Sequence, residues 1–119
     1  DNSFDLVCML WNLVGNLAPD ERFRSLMEAK RILKGGGVLF VTTFAENAAP
    51  YQMEFYSRRG TPYEDPFGRP TVILEYANAT HASESFTQEQ LERGLKFFKF
   101  HDIKIEKFAG FAYACTSRK

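Results

Sequence analysis

The sequence has few of the residues that build metal sites and disulfide frameworks. Its 119 residues include two cysteines and two histidines. Their spacing matches no zinc-binding motif, so we predict that the chain holds no metal ion. Cys8 and Cys115 both lie in apolar segments that are typical of buried strands. We expect two buried, reduced thiols in a reducing compartment, and a disulfide between them is the alternative.

The chain also lacks an excess of either charge and a long apolar run. Fifteen basic and fifteen acidic side chains leave a formal net charge of zero. This balance favours neither nucleic acid nor an anionic membrane as a partner, and it makes self-association easier. The longest apolar stretch, around Leu6 to Val14, is broken by Asn12 and is too short to span a bilayer. The first residues show no signal-peptide pattern and no initiating methionine. We expect a cytoplasmic protein whose sequence begins as a truncated or processed chain would.

Two apolar strands and a helix open the chain. Phe4–Leu10 is a short, continuous apolar run, typical of a strand that is buried on both faces of a parallel sheet. Pro19 suits the first turn of a helix, apolar residues then recur at helical spacing, and Gly35 suits a left-handed helix end. Val38–Thr43 is a second apolar strand. The order strand, helix, strand predicts a right-handed parallel crossover.

The segment from about 45 to 80 has no regular pattern and is rich in proline, glycine and aromatic residues. A short helix near Tyr51–Ser57 and an extra strand at Thr71–Tyr76 are the elements we expect inside it. Beyond it, Thr87 and Gln90 form the pattern of a capping box, which predicts a second helix that ends near Lys99.

Alternating residues predict a closing pair of strands. Ile103 and Ile105 alternate with charged residues, which indicates a half-exposed strand. Ala109-Gly110 then forms a turn, and Phe111–Thr116 is apolar enough for a last strand. We predict that the two strands pair as an antiparallel hairpin.

In this order the elements resemble the second half of the class I S-adenosylmethionine-dependent methyltransferases, which are Rossmann-like. In that family the fourth strand opens with a motif like Phe-Asp-Leu-Val, found here at Phe4–Val7. The following helix ends in a motif like Leu-Lys-Pro-Gly-Gly, which stands here as Leu33–Gly37 with glycine in place of proline. The helix that opens at Thr87 and the segment Phe98–Ile105 resemble the closing helix and the sixth strand of the family.

The resemblance predicts an α/β fold with a partial Rossmann-like methyltransferase sheet. Its parts are two parallel strands, a crossover helix, a second helix and a closing antiparallel hairpin, whose final strand lies between its two predecessors. We expect residues 1–119 to be the C-terminal part of a single methyltransferase domain, with an insert at about 45–80.

The parts that hold the cofactor in this family precede the fourth strand and are not found here. The three glycines Gly35–Gly37 follow a helix and precede a strand, which is the reverse of a phosphate-binding order. The resemblance implies methyl transfer from S-adenosylmethionine to a small-molecule acceptor, as part of a longer parent chain. One alternative is a non-catalytic half-domain that serves as an oligomerisation or interaction module. Another is half of a nicotinamide-dependent Rossmann-like enzyme, against which the closing hairpin argues.

Candidate cofactor residues follow the first strand, where ligands bind in open α/β sheets. Leu10, Trp11 and Asn12 leave the carboxyl end of that strand. The resemblance implies that they flank the cofactor and the transferred methyl group. The alternative is that Trp11 fills the core beneath the helix and that Asn12 caps a turn.

Candidate substrate residues follow the second strand into the same crevice: Phe44, Glu46 and Tyr51. Glu46 would orient the acceptor nucleophile or take its proton, unless it is an ordinary surface carboxylate. No clear catalytic residue stands out, as expected for a displacement that depends mainly on positioning.

The insert and the first strand are candidate contact surfaces. The insert mixes aromatic and basic residues, which suits a lid over a small molecule or a dimer contact, and acidic neighbours argue against RNA. The lid residues are Tyr51, Phe55, Tyr56, Arg58, Arg59 and Tyr63, and the acidic neighbours are Glu54, Glu64 and Asp65. Without three preceding strands, Phe4–Leu10 becomes an unprotected edge, so we expect self-association through it.

Overall fold

The computed structural model describes residues 1–60, 63–64, 71–76 and 79–119. The elements in chain order are β1 Phe4–Met9, α1 Leu13–Asn16, α2 Pro19–Ile32, β2 Leu33–Phe44, α3 Ala49–Arg58, β3 Tyr63–Glu64, β4 Thr71–Tyr76, β5 Ala79–Glu84, α4 Gln88–Phe97, β6 His101–Phe108 and β7 Ala112–Arg118. In these ranges, no helix is both long and apolar enough to cross a membrane.

The strands of the described ranges form two sheets. The main sheet has the order β1-β2-β7-β6. β1 and β2 are parallel, whereas β7 runs antiparallel to both β2 and β6. The last strand therefore lies between its two predecessors, as predicted, and the mixed α/β class is confirmed. The smaller sheet, in the order β3-β4-β5, is antiparallel. β3 and β4 lie within the predicted insert of about 45–80, and β5 extends beyond it to Glu84.

The crossover helix α2 begins as predicted and ends earlier. Pro19 occupies its first turn, and the Glu21 carboxylate accepts a hydrogen bond of 3.1 Å from the Ala18 N–H. The prediction that Gly35 ends the helix in a left-handed conformation is wrong. The helix ends at Ile32 because Leu33 already pairs with β1, and the left-handed residue is Gly36, with φ of 77°.

The predicted helix after Thr87 is present as α4, and the predicted hairpin is present as β6 and β7. Thr87 and Gln90 form both bonds of the capping box: the Gln90 N–H donates to the Thr87 hydroxyl over 3.1 Å, and the Thr87 N–H to the Gln90 side chain over 2.8 Å. The helix ends at Phe97, two residues before the predicted Lys99. Ala109 and Gly110, both at positive φ, turn the chain between β6 and β7.

The core lies between one face of the main sheet and the helices α2 and α4. Leu39 and Val41 of β2 and Cys115 of β7 are buried on that face. Leu26 of α2 and Leu95 of α4 belong to the same apolar cluster. Burial raises the pKa of the Cys115 thiol to about 12.

The first strand differs from its prediction. Phe4 and Leu6 are 53% and 54% exposed, Cys8 is exposed, and only Met9 is fully buried. The predictions of a strand buried on both faces and of a buried Cys8 thiol are therefore wrong. The physical reason is position, because in the described sheet β1 is an edge strand that pairs with β2 alone. Cys8 and Cys115 are both free thiols.

Candidate functional site

The carboxyl ends of β1 and β2 meet at one edge of the main sheet, which we call the carboxyl edge. The two strands are parallel, and Met9 pairs with Val41 near their ends. The chain that leaves β1 is then tied to β2. The Trp11 N–H donates to the Thr42 hydroxyl over 3.0 Å, and the Asn12 N–H donates to the Thr42 carbonyl over 3.2 Å.

Trp11 projects from the carboxyl edge into solvent. Its side chain is 89% exposed, which excludes the alternative that it fills the core. Leu10 and Leu13 beside it are also exposed, so the edge carries an apolar surface. An exposed indole offers an aromatic face on which a flat ring can stack.

The backbone beneath this indole is strained. Trp11 and Asn12 adopt consecutive left-handed conformations, with φ of 59° and 56°. For residues other than glycine this region costs on the order of 1–3 kcal/mol each, and such strain persists only where surrounding contacts hold it. Strained residues of this kind cluster at ligand-binding sites.

The Asn12 side chain supplies those contacts and is itself 3% exposed. Its Nδ2 donates to the Ser83 hydroxyl over 3.2 Å and to the Glu84 carbonyl over 3.0 Å. Its Oδ1 accepts from the Phe44 N–H over 3.0 Å. The side chain makes no helix-capping bond, so the alternative role as a turn cap does not hold. Asn12 instead braces the ends of β1, β2 and β5 against one another.

A second amide extends this brace. Gln52 of α3 is 2% exposed, and its Nε2 donates to the same Ser83 hydroxyl over 3.0 Å. Sequence reasoning missed both Gln52 and Ser83. The available signal was a glutamine within the aromatic helical stretch that begins at Tyr51.

The candidate substrate residues Phe44 and Tyr51 come together through a third aromatic side chain. Phe111 lies 6.3 Å from Phe44 and stacks on Tyr51 with ring centroids 4.7 Å apart. Sequence reasoning placed Phe111 in the last strand only. Together, Phe44, Tyr51 and Phe111 form what we call the aromatic wall, which lies beside the carboxyl edge. Tyr51, at the start of α3, exposes part of this wall to solvent.

Glu46 lies near this wall and is fixed by a tyrosine. The Tyr113 hydroxyl donates to the Glu46 carboxylate over 2.9 Å, and the Lys107 Nζ lies 3.8 Å from it. A hydrogen bond from its own backbone N–H, the Tyr113 hydroxyl and the Lys107 charge lower the pKa of Glu46, although burial opposes them. Burial and the Glu46 carboxylate raise the pKa of Tyr113. Glu46 is therefore a charged hydrogen-bond acceptor and a weak base at neutral pH.

Comparison with known proteins supports the fold. No protein-family model and no curated protein sequence matches the chain. A methyltransferase structure from Methanosarcina mazei, described as S-adenosylmethionine-dependent, has a TM-score of 0.68 at 19% identity, over 100% of this chain and 60% of its own. The chain has part of the Rossmann-like methyltransferase fold.

Two further structures with this fold give the same result. A Pyrococcus horikoshii protein has a TM-score of 0.66 at 18% identity, over 99% of this chain and 52% of its own. The 1,6-didemethyltoxoflavin-N1-methyltransferase from Burkholderia thailandensis, solved with 1,6-didemethyltoxoflavin and S-adenosylhomocysteine, has a TM-score of 0.63 at 18% identity, over 99% and 44%. The chain thus spans 60% or less of the length of these proteins.

The segment that sequence predicted to be an insert, at about 45–80, is described in part. The predicted helix near Tyr51–Ser57 and the predicted strand Thr71–Tyr76 are both present, as α3 and β4. Directly after α3, Arg59 lies over the Phe55 ring at 4.3 Å. The side chains of Tyr63 and Glu64 and the whole of Asp65 lie outside the described part of the chain. Among the described residues, no group of three histidine, cysteine or acidic side chains comes close enough to hold a metal ion.

Proposed function

We propose that this chain is part of a methyltransferase that transfers a methyl group from S-adenosylmethionine to a small-molecule acceptor. The observation that carries the proposal is the sheet order, in which the antiparallel β7 lies between β2 and β6. This arrangement is the one that the sequence resemblance implied, and methyltransferases share the fold over almost the whole chain. A cytoplasmic location, without nucleic acid or membrane partners, belongs to the same proposal.

In this proposal Leu10, Trp11 and Asn12 form part of the cofactor site. The exposed indole and Leu10 would contact the adenosine portion through an apolar face. Asn12 would act by holding the strained loop, because both of its amide hydrogens are already bonded within the protein. These residues fit one face of the adenine ring and offer few hydrogen bonds to the attached ribose. The remaining contacts would come from residues outside this chain segment.

Phe44, Glu46 and Tyr51 would position the acceptor. The aromatic wall that contains Phe44 and Tyr51 suits a flat or apolar acceptor. Glu46 would accept a hydrogen bond from the acceptor and orient its nucleophile, since a carboxylate with a lowered pKa takes protons poorly. Once bound, S-adenosylmethionine supplies an electrophilic methyl group, and positioning is then the main contribution of the protein.

Calorimetric titration of S-adenosylhomocysteine tests the proposal on two samples. The first is this chain, and the second is a longer protein that contains residues 1–119 together with a preceding half-domain. We expect micromolar binding by the longer protein and much weaker binding by this chain alone. Equal binding by both samples would refute the idea that this chain holds only part of the cofactor site. No binding by either would refute the methyltransferase proposal.

A second candidate function is an oligomerisation module, which the exposed edge of β1 favours. Phe4 and Leu6 are more than half exposed, and the strand contains no lysine or proline that would block pairing. We propose that two copies of this chain pair along Phe4–Leu10 when no other segment covers that edge.

Sedimentation velocity tests this pairing. The chain should sediment as a dimer, and Leu6→Lys should convert it to a monomer by placing a charge on the edge strand. Met27→Lys is the matched control, because Met27 is similarly exposed on α2, away from β1. A monomeric wild-type chain, or dissociation by both substitutions alike, would overturn the pairing.

A further inference from the structure

A cavity separates α2 from α4 on the helix-covered face of the main sheet. Its volume is about 520 Å³, and Val41 and Cys115 form part of its lining where it meets the sheet. Leu26 contributes from α2 and Leu95 from α4. None of the six candidate residues of the carboxyl edge lines this cavity, so it is a separate feature of the molecule.

Aromatic side chains border the cavity. Phe23 lies 5.2 Å from Phe98 and 6.3 Å from Phe97, and Phe97 lies 5.3 Å from Phe98, measured between ring centroids. All three line the cavity, and Phe97 is 70% exposed. A cluster of aromatic rings beside an open cavity is a suitable surface for another flat ring.

Two polar groups of the lining lack hydrogen-bond partners. Ser85 is 7% exposed, and its hydroxyl has no partner within the described protein. The Nε of Arg22 is buried and also has none. Buried polar groups are nearly always bonded, so these two groups are available to bond a molecule that enters the cavity.

The charge of Arg22 is nevertheless already balanced. Its Nη2 donates to the Leu17 carbonyl over 3.1 Å and to the Glu84 carboxylate, and its guanidinium lies 5.0 Å from the centre of the Phe86 ring. An anionic ligand would have to compete with Glu84. A neutral hydrogen-bonding group would use the free Nε and the Ser85 hydroxyl without disturbing this ion pair.

We propose that this cavity binds an uncharged small molecule with an aromatic or otherwise apolar body and one hydrogen-bond-accepting group. Its volume lies within the range of about 300–1,000 Å³ that is usual for small-molecule sites. The unpaired polar groups are buried, which suits a ligand inside the cavity better than a protein partner across its rim. The site goes beyond methyl transfer and does not depend on it.

Benzophenone is a suitable probe because it has two aromatic rings, one carbonyl acceptor and no charge. Calorimetry on this chain should show saturable binding of one molecule per chain. Diphenylmethane, which lacks the carbonyl, should bind roughly fivefold more weakly, as expected for the loss of one hydrogen bond. Irradiation of the benzophenone complex should label residues of α2 or α4. Absence of saturable binding, or labelling confined to the β1 edge, would overturn the proposal.

Gly94 allows the cavity to be filled without damage to the fold. It lies in α4, it lines the cavity, and a Cβ added there would meet no atom within 4 Å. Gly94→Leu should reduce benzophenone affinity at least about tenfold, while the higher helix propensity of leucine keeps or raises the melting temperature. Gly94→Ala is the matched control and should bind within about twofold of wild type, since one methyl group leaves most of the cavity open.

Ser85→Ala tests the polar end of the site. The substitution should reduce the preference for benzophenone over diphenylmethane, with the Arg22 Nε left as the remaining donor, and should leave diphenylmethane binding unchanged. Wild-type affinity in Gly94→Leu, or an unchanged preference in Ser85→Ala, would refute the assignment of the ligand to this cavity.

Discussion

Substitution of Asn12 by alanine should destabilise the fold far more than an ordinary loop substitution would. The side chain makes three hydrogen bonds, to Ser83, Glu84 and Phe44, and is almost fully buried. Alanine would leave the Phe44 N–H without its acceptor and remove the bond to the Glu84 carbonyl. The Ser83 hydroxyl would keep its bond from Gln52.

The size of the effect follows from these losses. A buried backbone group left without a partner costs about 1–3 kcal/mol, and each ordinary hydrogen bond contributes about 1 kcal/mol. The left-handed conformation of residue 12 suits asparagine better than alanine, which adds about 1 kcal/mol. We therefore expect Asn12→Ala to lower the free energy of unfolding by about 3–5 kcal/mol. Asn12→Gly should cost about 1 kcal/mol less, because glycine adopts positive φ without strain.

Urea unfolding followed by far-ultraviolet circular dichroism measures these differences. If the slope of the free energy of unfolding against urea concentration is the same in each variant, the folded and unfolded states of the variants are comparable. Asn47→Ala is the matched control. Asn47 is exposed and donates one bond of 2.8 Å to the Gly110 carbonyl, so its loss should cost at most about 0.5 kcal/mol. If Asn12→Ala costs no more than Asn47→Ala, the bracing role of Asn12 is refuted. A glycine variant less stable than the alanine variant would refute the strain argument.

Three further predictions concern exposure and charge. Trp11→Ala should change the stability of this chain by less than about 0.5 kcal/mol, yet it should weaken S-adenosylhomocysteine binding by the longer protein about tenfold; unchanged affinity in calorimetry would remove Trp11 from the site. Because the folded state lowers the pKa of Glu46, the stability that its charge provides should be present above its unfolded pKa and should disappear as the pH falls through the folded value. Urea midpoints of wild type and Glu46→Gln should therefore converge in acid, and a gap independent of pH would contradict the argument. Iodoacetamide at about pH 8 should modify Cys8 and spare Cys115, whose pKa is raised to about 12; mass spectrometry that finds both thiols labelled at the same rate in the folded chain would contradict the burial of Cys115.

The elements that sequence predicted well depend on neighbouring residues. Pro19 at a helix start, the Thr87–Gln90 capping box and the Ala109-Gly110 turn each act within a few positions, so the residues alone specify them. The order of the strands was also predictable, because the sequence of strands and helices resembles one known fold and leaves few arrangements open.

The parts that sequence did not predict depend on distant partners. The end of α2 shifts from Gly35 to Ile32 because Leu33 pairs with Phe4, which is 29 positions away. Cys8 is exposed because β1 has one neighbouring strand in the described sheet. The resemblance predicted this edge position, but the apolar residues of the strand itself still indicated burial on both faces. Sequence also did not reveal that the Asn12 side chain bonds to Ser83, Glu84 and Phe44 within the protein.

The brace at Asn12 also explains how Trp11 can be both exposed and well placed. An exposed side chain usually has no fixed position, and a mobile indole would be a poor surface for positioning a ligand. Here the N–H groups of Trp11 and Asn12 both bond to Thr42, and the Asn12 side chain bonds to β2 and β5. These bonds fix the backbone from which the indole projects, in a left-handed conformation that is unfavourable for Trp11. The buried amide thus determines the geometry, and the exposed ring is left free to contact a ligand.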